Sequence, residues 1–141
     1  MANEVTITAL LGNKGDPVEY TIAAGAVIPK NSIMKISASP QTALATDGAN
    51  KIFVGIASTE KTTTDGVTKM ALWTHGIFDL TCGGAESMVL GAPVRTGAAA
   101  NEVTVMTDDT ITNAPQCVGV ALETVAGNGI GAVLIDVGKT R

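Results

Sequence analysis

Two short stretches decide the fold expected of this chain: Phe53-Val54-Gly55-Ile56-Ala57 and Cys117-Val118-Gly119-Val120-Ala121. Each is an apolar run with a central glycine. A polar loop follows each run, then the dipeptide Asp65-Gly66 or Asn128-Gly129, and then a second apolar run. Dipeptides of this kind favour tight hairpin turns, and a glycine within a strand marks a bend or a close approach of two backbones. Each unit therefore predicts a strand, a hairpin and a second strand.

The likeness between the two units favours an internal duplication. Ile28 to Lys35 and Leu90 to Arg95 occupy similar places upstream of the two stretches. We expect two related β-units that together close one barrel. The alternative is a chance match, because any β-meander rich in valine and glycine resembles itself.

Outside these stretches, apolar and polar residues alternate with a period of two, which is the signature of half-buried strands. The alternation is clearest in Val5 to Ala9, Val18 to Ile22, Val67 to Trp73 and Glu102 to Val105. Turn dipeptides interrupt it at short intervals. The predicted fold class is all-β: a small barrel or sandwich of short antiparallel strands with an extended N-terminal strand. At most a turn or two of helix is expected, at Pro40 to Ala45 and Ala98 to Asn101. Residues 1–16 form the extended segment, and residues 17–141 form a single β-rich domain.

Composition limits the partners that this domain can have. Of the 141 residues 45% are hydrophobic and only 16% are charged, with a mean hydropathy of +0.31. Some of that apolar surface is expected to meet another chain. The net charge of −4 opposes nucleic-acid binding, which needs clustered Lys and Arg. With 3% aromatic residues, stacking surfaces for bases or sugars are also hard to build.

Cysteine usage and hydropathy indicate a protein made in the cytoplasm that stays soluble. Cys82 and Cys117 form neither a disulfide framework nor a zinc-binding spacing. The opening residues lack a basic region followed by an apolar one, so no signal peptide is expected. The apolar run Ile130 to Val137 is too short to cross a bilayer, and no membrane contact is predicted.

Two groups of titratable residues invite a chemical interpretation, and neither satisfies the requirements for catalysis. His75 and Asp79 share one face of a strand while Cys82 falls on the other, so a nucleophile–base pair does not form. The adjacent carboxylates Asp108 and Asp109 point to opposite faces, although a loop contact with calcium stays open.

The remaining motifs also fall short. Val137-Gly138-Lys139-Thr140 resembles the end of a phosphate-binding loop, but Val133 stands where that motif needs glycine. Ile33-Met34-Lys35-Ile36 resembles the hairpin that carries biotin in carrier domains, with the wrong flanking residues. We therefore expect no enzyme activity, no catalytic residue, no metal and no cofactor.

As a whole the chain resembles the small head-decoration, or capsid cement, proteins of tailed bacteriophages. The likeness lies in short segments spread over most of the chain: Asn3 to Leu10, Ala24 to Ile28, Val54 to Ala57, Gly76 to Leu80, Leu90 to Val94, Val118 to Ala121 and Ala132 to Asp136. The resemblance implies a β-rich homotrimer on the outer capsid surface. It implies binding to the major capsid protein between capsomers, after the shell expands.

The N-terminal segment is the natural shell contact, because an alternating edge strand can pair with a partner's exposed edge. The candidate residues are Val5, Thr6, Ile7, Thr8, Ala9 and Leu10. The alternative is that this strand is an integral part of the barrel. Competing functions are a tail, baseplate or adhesin module, a biotin or lipoyl carrier modified at Lys35, and a small enzyme with a pocket around His75.

Overall fold

The structure is a computed structural model, and it describes residues 6–9, 17–107 and 114–137. The strands of this part of the chain are β1 (Thr6–Ala9), β2 (Val18–Ile22), β3 (Ile33–Ala38), β4 (Thr42–Ala45), β5 (Phe53–Ala57), β6 (Lys69–Trp73), β7 (His75–Cys82), β8 (Ser87–Met88), β9 (Pro93–Thr96), β10 (Glu102–Val105), β11 (Cys117–Ala121), β12 (Val125–Ala126) and β13 (Ile130–Asp136). A single turn of 3-10 helix, Ala114–Gln116, precedes β11. The predicted all-β class is confirmed.

The strands close into two five-stranded barrels. The first barrel has the order β2-β4-β3-β5-β6, with β6 returning to β2. The second has the order β7-β10-β9-β11-β13, with β13 returning to β7. One residue, Thr74, separates β6 from β7. The expectation that both units close one barrel is wrong, because each unit supplies enough strands to close its own ring.

Each ring contains one parallel pair, which departs from the purely antiparallel strands predicted. The pairs are β2 with β4 and β7 with β10. A ring of alternating strand directions needs an even number of strands. With five strands in each ring, two neighbours must run in the same direction. The odd strand number therefore explains both exceptions.

The two barrels have the same connectivity and repeat the same hydrogen bonds outside their ladders. The amide of Asn31 donates to the carbonyl of Ala57 at 3.0 Å, and Gly91 donates to Ala121 at 2.8 Å. Ser58 donates to Ala71, and Leu122 to Ala132, in the same way. These bonds fix the correspondence of positions between the barrels. They pair β5 with β11, the two stretches whose sequences match.

Two segments predicted as possible helical turns take other conformations. Residues Thr42–Ala45 of the first segment form β4, which pairs with both β2 and β3. The second segment, at residues 98–101, is a turn that ends at Asn101 with a positive φ of 58°. Ring closure needs a strand at β4, and that requirement overrides the local preference of a short Ala-containing segment.

Each barrel has an apolar interior, and the two interiors meet through β5. Every residue of β5 is buried. Val54 and Ala57 pack in the first barrel's cluster, whereas Phe53 and Ile56 join Ile33 in the cluster of the second barrel. A strand that is buried on both faces reads as a continuous apolar run. The barrels are therefore packed side by side along this strand.

Polar contacts reinforce the junction between the barrels. The side-chain oxygen of Asn101 accepts from the amide of Ile33 at 2.9 Å, and both groups are buried. The amide of Lys51 donates to the hydroxyl of Thr96 at 3.2 Å, and Arg95 donates to Asn50 at 2.8 Å. That residues 17–141 form a single domain stays a prediction.

The central glycines of the matching stretches allow neighbouring strands to come close together. A β-carbon at Gly55 would lie 2.7 Å from the carbonyl oxygen of Trp73, and φ at this residue is +147°. A β-carbon at Gly119 would collide with the carbonyl oxygen of Leu134, the position that corresponds to Trp73. Both glycines are therefore required by close backbone approach.

A fully buried lysine closes the loop between β5 and β6. The ammonium group of Lys61 donates to the carbonyls of Ala24 and Thr62 at 3.0 and 3.1 Å and to Oδ1 of Asp65 at 2.9 Å. These contacts use all three of its donors. Lys61, with the amides of Val67 and Thr62, lowers the pKa of Asp65 from 3.8 to about 2. Sequence reasoning did not single out Lys61, because nothing in a polar loop marks one lysine as buried.

Gly119→Ala is expected to reduce the free energy of unfolding by about 2–3 kcal/mol, the usual scale of a steric clash in a packed interior. The β-carbon would force β11 away from β13. Gly25→Ala is the matched control, because nothing lies within 4 Å of a β-carbon there, and it should change stability by less than about 0.5 kcal/mol. Urea titration of the three proteins measures both effects. Equal stabilities for the two variants would show that the close approach relaxes without cost.

Asp65→Asn is expected to lower the melting temperature at neutral pH by leaving the buried Lys61 ammonium without a counter-charge. Because the folded-state pKa of Asp65 is depressed, its contribution is complete above pH about 4 and disappears as the pH falls towards about 2. The difference from the parent should therefore shrink across that window in thermal melts. Glu60→Gln, an exposed carboxylate in the same loop, is the control and should have little effect at any pH. A difference for Asp65→Asn that persists unchanged at pH 2 would contradict the ion-pair explanation.

Candidate functional site

The N-terminal strand β1 lies on the second barrel although it comes first in the chain. It pairs antiparallel with β7, in the register Thr6 with Asp79, Ile7 with Phe78 and Ala9 with Ile77. Its other edge pairs with no strand among the described residues. Val5 and Leu10, the outer members of the predicted shell contact, lie outside the described residues. The four central members, Thr6 to Ala9, thus form an edge strand.

β1 is not part of either closed ring. The second barrel closes through β7, β10, β9, β11 and β13, and β1 adds to the first half of β7 beyond the point where β10 pairs. Removing β1 would leave every strand pair of both rings in place. The alternative that this strand is an integral part of the barrel is therefore confirmed only in part. β1 pairs with β7, but it is not one of the five strands that close the ring.

An apolar row crosses the outer face of the sheet beside β1. Val120, Leu134 and Ile77 are register partners on β11, β13 and β7, and Ile77 in turn pairs with Ala9 of β1. All three side chains are half-buried and alternate with buried neighbours that face the interior. The row leads from the edge strand across the outside of the second barrel.

The strand β7 keeps its titratable residues apart. His75 lies opposite Asp136, with 3.7 Å between Nδ1 and Oδ1. Cys82 lies at the other end of β7, about 23 Å away at the rise of an extended strand, and it is fully buried in the core. Burial, followed by the carboxylates of Glu86 and Glu102, raises the pKa of the Cys82 thiol. The geometry does not bring His75 and Cys82 together.

Lys35, the carrier-type candidate, is held in an ion pair on β3. Its Nζ lies 2.6 Å from Oδ1 of Asp47, and only 12% of the side chain is exposed. That hydrogen bond lowers the pKa of the Asp47 carboxyl. A modified lysine must present its amino group to an enzyme, and this one is turned towards a carboxylate.

An open cleft of about 320 Å³ lies beside β2 on the first barrel. Its charged side chains, Glu19 and Lys69, approach each other to 3.5 Å, and Gln41 donates to the backbone carbonyl of Glu19 at 2.6 Å. The two charges of the cleft therefore lie close to each other, and both side chains are about two-thirds exposed.

The other chemical candidates lie outside the described residues: Asp108, Asp109 and the segment 138–141. Within the described ranges, no three His, Cys, Asp or Glu side chains are grouped closely enough to hold a metal ion. No helix in those ranges is long and apolar enough to cross a membrane.

The paired barrels are similar in fold to a protein of a phage head. The head fiber gp8.5 N base of bacteriophage phi29 superimposes with a TM-score of 0.55, over 84% of this chain and 93% of that chain. The sequences are 14% identical, so the likeness is one of fold. No protein-family model matches the chain, and no curated protein matches it in sequence.

Proposed function

We propose that this chain is a structural protein of a bacteriophage virion that binds the outer surface of the capsid between capsomers and stabilises the shell. The observation that carries the proposal is the fold shared with the head fiber base, because that likeness covers most of both chains. The resemblance of the sequence to head-decoration proteins supports the same class of virion component. The protein is made in the host cytoplasm and joins the capsid afterwards.

The proposed partner is the major capsid protein, and the proposed contact is β1. A free strand edge offers unpaired amides and carbonyls that can extend a partner's sheet, and the affinity then comes from the main chain. Such contacts repeated over a symmetric shell stabilise it, because a ligand that binds only the intact form shifts the equilibrium towards that form.

The protein is also proposed to associate with itself as a trimer on the shell. The support is the exposed apolar surface, which includes Val27, Leu90 and Ile130, each more than 60% exposed. Side chains of this kind in contact with water favour burial against another chain. A tail, baseplate or adhesin module would share the β-rich fold but would not bind capsids.

Deletion of residues 2–11 is expected to leave a folded protein that no longer binds expanded capsids. Both rings close without β1, so far-ultraviolet circular dichroism and the melting transition should be retained. Co-sedimentation with capsids measures binding. A full-length variant with residues 2–11 replaced by a Gly-Ser segment controls for chain length and should also fail to bind. Retained binding by either folded variant would exclude β1 as the anchor, and loss of the fold would show that the strand is integral.

The variants His75→Ala, Cys82→Ser and Lys35→Arg should each retain capsid binding close to that of the parent, because the proposed function needs no chemical step. Added chelator should change nothing for the same reason. Co-sedimentation of the three variants, alongside their melting curves, checks this. A folded variant that lost all binding would instead point to a role for that side chain in a site.

A further inference from the structure

Equivalent positions of the two barrels can be compared directly, because the barrels share their connectivity and matching hydrogen bonds. The matching hydrogen bonds make Lys30 equivalent to Leu90, and Ser58 equivalent to Leu122. Ala71 is equivalent to Ala132 in the same way, so Lys69 is equivalent to Ile130, each two residues earlier on its strand. The fold therefore accepts polar side chains at all three positions. We therefore expect folding of the second barrel not to depend on the apolar side chains at these three positions.

Three exposed apolar residues lie on adjoining backbone segments of the second barrel, and we call them the apolar patch: Leu90, Leu122 and Ile130. Leu90 and Ile130 are each 64% exposed, and Leu122 is 38% exposed. Gly91 bonds to Ala121, and Leu122 bonds to Ala132 on the strand that begins with Ile130, so all three lie on adjoining backbone segments. Leu122, one residue beyond the end of β11, is thus the diagonal neighbour of Ile130 on β13.

A carboxylate adjoins the patch, because the exposed Glu123 directly follows Leu122. Oε2 of Glu123 accepts from the amide of Ala132 at 3.0 Å and lies 3.4 Å from where a β-carbon on Gly131 would be. The second barrel as a whole is acidic: residues 75–137 contain Arg95 and seven carboxylates. Of these carboxylates, Glu123 places a negative charge beside the apolar surface.

The corresponding face of the first barrel has the opposite character. Residues 17–74 contain five lysines and four carboxylates. Lys30 is exposed and has no ion-pair partner among the described residues, and Lys69 makes only a 3.5 Å contact with Glu19 in which both side chains are about two-thirds exposed. Lysine stems can cover apolar side chains while their ammonium groups reach carboxylates.

We infer that the apolar patch of one copy binds the Lys30–Ser58–Lys69 face of the first barrel of a second copy. The aliphatic stems of Lys30 and Lys69 pack on the patch, and their ammonium groups face Glu123 and the acidic second barrel. The contact is head-to-tail, so it can be repeated around a closed ring. This inference rests on the self-association proposed above and assigns its two faces.

Two variants test it, each altered on one face only. The patch variant gives the second barrel its first-barrel residues, Leu90→Lys, Leu122→Ser and Ile130→Lys. The lysine variant carries Lys30→Glu and Lys69→Glu. Sedimentation velocity should show that the parent associates and that each variant alone associates at least about tenfold more weakly. Ile52→Ser, which removes an apolar side chain 47% exposed elsewhere on the first barrel, is the control and should behave as the parent does.

A mixture of the two variants is the decisive measurement. Each retains the face that the other has lost, so the mixture should form a dimer with one intact contact and no larger ring. Salt should weaken that dimer, since screening reduces the attraction between the barrels. Self-association of the lysine variant alone would overturn the inference, because it would mean that patch binds patch. A parent that stays monomeric at all concentrations would also overturn it. If the triple change prevents folding, Leu90→Lys alone serves in the same mixture.

Capsid co-sedimentation separates this inference from the proposed function. A patch variant that stays associated but loses capsid binding would refute the head-to-tail contact and leave the virion role standing. A parent that associates as inferred but never binds capsids would refute the virion role and leave the contact standing.

Discussion

Closure of a β-sheet into a ring of only five strands is the constraint on which the rest of this structure depends. An odd ring cannot alternate strand directions, so each barrel must contain one parallel pair, β2 with β4 and β7 with β10. A small ring also bends its strands sharply and brings backbones close together. Gly55 and Gly119 are two equivalent positions where that approach excludes a side chain. Connectivity and glycine placement thus follow from one requirement.

Repetition of the same ring shows which features the fold needs and which it merely tolerates. In the first barrel, Ile28 forms an isolated β-bridge with the buried Lys61. At the corresponding place in the second barrel, Met88 pairs with Val125. A buried ion pair and an apolar contact are therefore interchangeable in this position, as expected where desolvation offsets the attraction between charges. The outer faces differ in the same way, with lysines on one barrel where leucine and isoleucine stand on the other.

The sequence predicted local structure well and global closure poorly. The alternation of apolar and polar residues correctly predicted β2 and β10. The matching stretches Phe53–Ala57 and Cys117–Ala121 form strands at equivalent places in the two barrels. The number of barrels could not be predicted, because closure depends on pairs such as β6 with β2 that are far apart in the chain. Lys61 was missed since its burial comes from carbonyls and a carboxylate supplied by the fold. The pairing of β1 with the second barrel is likewise a long-range choice that period-two alternation cannot encode.

Closed rings have a consequence for how such a protein can bind. Strands inside a ring have no free backbone edge, so partners must use the strands outside the rings or the outer side chains. Among the described strands, β1 and the short pair β8–β12 lie outside the rings. The edge of β1 and the apolar patch differ in chemistry, because the first offers main-chain groups and the second offers side chains. A protein with two such surfaces can bind two partners at the same time, which is what the proposed function requires.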